Sequence, residues 1–178
     1  MPLFIYWFNG GSMEVNYFED SNAFLNNLSK SKALLITKND DNVNAMQIGW
    51  GYMGYMWKKP SLVITVRHSR YSYELLRKTD EFVVSIPESD DFKEAFKICG
   101  TKSGRDVNKI EMCGFNLVEG EKVKVPHIKG CLSYECKITY KQAIDSELVS
   151  EQIHDLSYKN NDYHVMIYGE IVAVHKNK

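Results

Sequence analysis

The chain holds little arginine: Arg67, Arg70, Arg77 and Arg105 are all it has, and the rest of its 22 basic residues are lysine. Acidic and basic residues nearly cancel at a net charge of −1, which removes any general pull towards nucleic acid or an anionic membrane. An anion site must therefore be a local construction. No stripe of basic and aromatic residues suggests single-strand binding either. Cysteine is sparse: Cys99, Cys113, Cys131 and Cys136 form no C-x-x-C pair and no His/Cys cluster with zinc spacing. A metal centre is thus not expected, and the thiols are read as reduced, partly buried side chains of a cytoplasmic protein. No run of about eighteen apolar residues occurs, which excludes a membrane-spanning helix. A strand–GxGxxG–helix unit is also missing, which argues against a Rossmann dinucleotide domain.

What is present fits one domain. At 178 residues, 44% apolar and 25% charged, the chain is long enough for one full core and short for two. Leu3–Phe8 (LFIYWF) is too short for a signal segment and lacks a basic flank, and NGGS at 9–12 reads as a flexible joint. Residues 1–12 are expected to be a loosely attached extension, and 13–178 the domain.

Apolar spacing predicts a helix over Phe18–Ser29, with Asp20 or Ser21 as N-cap. ALLIT at 33–37 and Val43–Trp50 flank the turn-forming KNDDN and predict a hairpin. Gly49, Gly51 and Gly54 interrupt the aromatic stretch that follows, and Pro60 precedes a strand at Leu62–Arg67. Ser72 is an N-cap candidate for a helix at Tyr73–Lys78; Phe82–Ile86 reads as a strand, and Asp91–Cys99 as a helix ended by Gly100. Later strands are expected at Phe115–Val118, Cys131–Lys141 and Val165–His175, with a short helix around Val149–Tyr158. Strands outnumber helices, so the expected architecture is mainly β: a barrel of mostly antiparallel strands with peripheral helices.

Three of the four arginines lie in two segments, VRHSRYS at 66–72 and GTKSGRDVNK at 100–109. Each sets arginine beside small hydroxyl residues or glycine. Arginine supplies a fixed fork of donors for phosphate, hydroxyls add short hydrogen bonds, and glycine lets backbone N–H groups approach. Two such segments in one small domain suggest a phosphorylated cofactor. The plainer reading of Arg67 and Arg70 is ordinary salt bridging. Asp106 either orients Arg105 or caps the next turn, and solvent exposure is the default for Lys109.

Together with Asn44–Gly51 (NAMQIGWG) and Tyr163–Ile171 (YHVMIYGEI), these segments resemble four motifs of the flavin reductase-like, FMN-binding split-barrel family, in the family's order. The likeness runs over roughly residues 20–175 and is strongest to the small flavoredoxin-like members. Gln47 departs from a usual threonine and His68 from a common proline. The resemblance implies an FMN-binding split β-barrel with Greek-key-like antiparallel strands, non-covalent FMN and a homodimer. It implies hydride transfer from NAD(P)H through FMN to free flavin or a redox protein; the alternative is a flavoredoxin-like electron carrier that does not use NAD(P)H. By the same resemblance Arg67, Ser69, Arg70, Ser72, Gly100, Ser103, Gly104, Arg105 and Lys109 are expected around the phosphate and ribityl chain. Asn44, Ala45, Met46, Gln47 and Trp50 are expected along the flavin ring. His164 is the candidate catalytic side chain, placed near flavin or nicotinamide; its plainer reading is a sheet-surface histidine. Tyr52, Tyr55, Met56 and Trp57 are expected at an interface or the pocket mouth. The remaining histidines, His68, His127, His154 and His175, show no mutual ligand spacing and are read as structural.

Overall fold

The computed structural model describes residues 16–176; the extension expected at 1–12 lies outside them. Helix α1 (Ser21–Leu28) buries Phe24 and Leu28, an i, i+4 pair, and leads into the hairpin of β1 (Ala33–Asn39) and β2 (Asn42–Ile48). A second hairpin joins β3 (Gly51–Met56) to β4 (Lys59–Arg67). The chain continues through α2 (Tyr71–Leu76), β5 (Glu81–Pro87), α3 (Lys93–Thr101) and the single-turn α4 (Lys109–Met112). Two short strands, β6 (Leu117–Val118) and β7 (His127–Ile128), pair apart from the main sheet. Long β8 (Cys131–Ala143), α5 (Glu151–Ser157) and β9 (His164–His175) complete the fold.

The main sheet is antiparallel throughout, in the order β2-β1-β5-β8-β9-β4-β3. Ile48 of β2 and Leu62, Ile64 and Val66 of β4 come from strands far apart in that order, yet they share one buried cluster with Phe82, Tyr134 and Ile167. Only a sheet curled into a barrel brings them together. Closure is incomplete: among the described residues β2 and β4 form no ladder, and the Thr65 N–H instead extends the β3–β4 pairing by donating to the Trp50 carbonyl (3.4 Å). This is the split. A second cluster on the outer face (Leu34, Ile36, Ala45, Val83) is covered by Cys99 from α3 and by Val123, Val125 and Ile128.

One buried charge fixes that cover. Glu135 on β8 is fully buried, and its carboxylate accepts N–H groups from Glu121 (2.7 Å), Lys122 (2.7 Å) and Val123 (3.1 Å) and bonds His175 Nε2 (2.6 Å). Burial alone would raise its pKa, but these donors hold the carboxyl below its usual range. His127 stacks on His175 at 4.1 Å, so two of the histidines read as structural do build the fold. No metal-binding cluster of His, Cys, Asp or Glu exists among the described residues, and no helix there is long and apolar enough to cross a membrane.

The structure corrects several local expectations. The glycine-interrupted aromatic stretch is strand β3, turned into β4 by Trp57 and Lys58, both with positive φ (52° and 62°). Glycine there is no breaker, because among the described residues β3 is an edge strand and its ladder uses β4 alone. Helix α2 begins at Tyr71 with Arg70 as N-cap, so Ser72 lies inside the first turn. Helix α3 runs through Gly100 to Thr101.

Candidate functional site

The split opens into a cavity of about 530 Å³ where β2, the end of β4, the start of α2, the end of α3 and the 102–105 loop converge. Every residue expected to hold the cofactor lines it except Ala45, and His164 lines it too. The Ala45 methyl packs in the outer cluster, so what Ala45 can offer the cavity is its backbone. The walls also include Ser31, Thr65, Tyr71, Thr101 and Lys102. Thr65 was within reach of sequence reasoning, since it shares a strand face with Arg67 at period two; Ser31 carries no such signal.

Charge in the cavity is uneven in a way the sequence does not show. Arg67, first choice for a phosphate, donates its guanidinium N–H groups to the carbonyls of Asp162 (2.5 Å) and Ser157 (2.8 Å), and lies over the Tyr158 ring at 5.4 Å. It ties the α5–β9 connection to the cavity wall. Arg105 pairs with Glu74, not Asp106, and donates to the Ser69 carbonyl (3.3 Å). Ser69 Oγ donates to Asp162 (2.6 Å), and Ser72 Oγ accepts from Asn44 Nδ2 (2.8 Å).

Arg70 and Lys109 remain. Neither side chain has an ion pair or hydrogen bond among the described residues, although both line the cavity. Lys109 is only 4% exposed, contrary to the default for a lysine. Burial pulls its pKa below the usual lysine range; Cys99 and Cys113 oppose that pull, and the Arg70 charge adds to it. Lys109 is buried and Arg70 exposed, and among the described residues no carboxylate answers either, so the pair is free to take an anion. Gly104 permits the close approach: a Cβ there would collide with the side chains of Asn44 and Tyr71.

The aromatic wall is built around His164. Its register on β9 sets it opposite Arg67 of β4. Nδ1 is hydrogen-bonded to the buried Tyr158 hydroxyl (2.9 Å), and the Trp50 ring leans on the imidazole at 4.6 Å. Nε2 is the ring nitrogen left without a partner among the described residues. Burial, with help from Arg67, lowers the His164 pKa to about 4, so the ring is neutral at pH 7. The surface-histidine reading therefore fails: the side chain is 9% exposed. Thr65 Oγ1, also in the wall, is buried without a hydrogen-bond partner.

The structure is thus an antiparallel split barrel whose cleft brings cationic side chains up to an aromatic, hydrogen-bonding wall. The family follows from comparison. Residues 26–178 match the model of the flavin reductase like domain, and the chain belongs to that family. An uncharacterized protein from Archaeoglobus fulgidus is 35% identical over 108 residues, covering 60% of this chain and 60% of that relative's length. Among solved structures, a flavoredoxin from Methanosarcina acetivorans is 26% identical with a TM-score of 0.64, over 82% of this chain and 68% of its own. An FMN-binding protein from Thermus thermophilus superposes with a TM-score of 0.63 at 21% identity, over 81% and 70%.

Proposed function

We propose that this protein binds FMN in the split cavity and passes reducing equivalents from NAD(P)H through it to free flavin or a redox protein. The observation that carries the reading is the pair of unanswered cations, Arg70 and Lys109, in a cavity that also holds an aromatic wall and an orphaned hydroxyl. A dianionic phosphate neutralises the first two, and a polar flavin or ribityl atom satisfies Thr65 Oγ1. Bound FMN supplies the hydride-accepting and electron-releasing chemistry.

The chain's own groups bind and position. Lys109 and Arg70 take the phosphate, with Ser103 and Gly104 beside them on the loop. Asn44 and Gln47 are pinned by Ser72 and by the Ser31 carbonyl (2.7 Å), which fixes the β2 wall for a flat ring. His164 is kept neutral, and its Nε2 offers one hydrogen bond without a charge. Arg67 and Tyr158 hold His164 in place.

Partners follow from the surface. Tyr52, Tyr55, Met56 and Trp57 on the β3 hairpin are 40–68% exposed, and the exposed Tyr140 ring packs edge-on against Trp57. Trp50 belongs both to the cavity wall and to these exposed aromatics. A second copy packing there would form a homodimer and enclose the cavity at Trp50.

The likeness to a flavoredoxin supports a second reading, an FMN electron carrier that ignores nicotinamide. One experiment separates them. Protein is mixed with FMN, desalted, and treated anaerobically with NADH or NADPH while the visible spectrum is followed. Retained flavin that bleaches supports the reductase. Retained flavin that ignores both nucleotides but accepts electrons from a reduced carrier protein supports the second reading. Loss of all flavin on desalting, with no fluorescence quenching in an FMN titration, refutes both.

A further inference from the structure

Two thiols stand together at the base of the cationic loop. Cys99 on α3 and Cys113, the C-cap of α4, approach to 3.9 Å between sulfurs. Between them in sequence lie residues 100–112, the segment that contributes Gly100–Arg105 and Lys109 to the cavity. Cys99 itself lines the cavity, whereas Cys113 is partly exposed and gives the pair its access to solvent. A disulfide needs a sulfur separation of about 2.05 Å, so closure requires a movement of roughly 2 Å. Cys113 is placed to make it: it ends a single-turn helix and is followed by Gly114 at φ 62°, whose surroundings are open. The other two cysteines have no such partner. Cys131 and Cys136 lie on one strand in opposite core clusters and serve as internal controls.

We infer that Cys99 and Cys113 are a modification site, closing to a reversible disulfide that staples the loop carrying Lys109. With hydrogen peroxide as oxidant, the Cys113 sulfur attacks one oxygen and becomes a sulfenic acid, releasing water. The Cys99 sulfur then displaces the hydroxyl, forming the S–S bond and releasing a second water. The two electrons leave the thiols for the peroxide, and the two thiol protons leave in the two waters. A thiol reductant reverses the bond.

Kinetics follow from the environment. Burial pushes the Cys99 thiol up to about 12 and also raises Cys113, while the Lys109 ammonium favours both thiolates. Thiolate is therefore scarce at neutral pH, and closure accelerates about tenfold per pH unit. The bond closes a loop that includes the whole cationic segment, so the oxidised protein melts at a temperature higher by roughly 6–12 °C. The inference stands on the thiols alone and is independent of the flavin reading.

The test is peptide mapping of the full chain after peroxide treatment at pH 7, 8 and 9, with free thiols alkylated under denaturing conditions. The expected product is a cross-linked Cys99–Cys113 peptide, lighter by about 2 Da than the sum of the two thiol peptides. It forms faster at each higher pH and is reversed by dithiothreitol, while Cys131 and Cys136 are recovered alkylated. Cys113→Ser abolishes it. Recovery of Cys99 and Cys113 as separate thiols, or as separate sulfinic or sulfonic acids, overturns the inference.

Discussion

Replacing Lys109 by methionine keeps a long unbranched side chain in place and deletes the charge. In the ligand-free protein that charge is buried without a counter-ion among the described residues, so its removal relieves a desolvation penalty and raises stability by about 1–2 kcal/mol. Against FMN the sign reverses. The phosphate loses a buried charge-assisted partner at a cost of about 2–4 kcal/mol, which weakens binding roughly 30- to 1000-fold. Urea unfolding with and without FMN, alongside a fluorescence-quenching titration, reads both effects on one protein. The pH dependence supplies a third sign. Because folding lowers the lysine pKa, the unfolded chain binds more protons, and ligand-free wild type gains stability as pH rises through the folded-state pKa towards the ordinary lysine range. The methionine variant lacks that gain. FMN affinity unchanged from wild type would refute the assignment of Lys109 to the phosphate. A less stable ligand-free variant would refute the claim that its charge is uncompensated.

Other predictions probe the wall and the frame. His164 has a folded pKa of about 4 against 6.5, so the unfolded chain binds more protons between those values; stability present above pH 6.5, about 3 kcal/mol, is lost as pH falls towards 4. His164→Gln should flatten that slope in chemical denaturation across the same range. Lys58→Gly relieves a left-handed residue in the β3–β4 turn and should raise stability by about 1 kcal/mol, read as a higher melting temperature. Glu135→Ala orphans three backbone N–H groups and His175, and should lower stability by about 3–5 kcal/mol, measured by urea unfolding.

What was legible in the sequence was whatever depends on neighbours along the chain. Alternation in 131–136 marks β8, and the Arg–Ser and Gly–Ser–Arg segments, which stand out locally by composition, do line one cavity. What stayed hidden depends on distant partners. Nothing near Arg67 shows that the carbonyls of Ser157 and Asp162 occupy its fork, and nothing near Lys109 shows that α3 and β2 will bury it. The division of labour between the arginines is thus a tertiary fact. Nor does the motif show that the Ala45 methyl turns into the outer cluster while its neighbours Asn44 and Met46 face the cavity. Strand β3 was missed because glycine and turn chemistry were weighted above its partner β4.

Strand β3 closes the sheet on one side, hydrogen-bonded among the described residues to β4 only, and carries aromatic and methionine side chains largely in the open. A bare, sticky edge of this kind is a template for intermolecular strand addition. At that edge the sequence supplies Lys58 and Lys59 at the turn, Pro60 early in β4, and no charge within β3 itself. Protection against self-association therefore falls on whatever covers the edge. If a second copy covers this edge as proposed, conditions that separate the copies should show up in light scattering as growing aggregates, with no long-lived monomer preceding them.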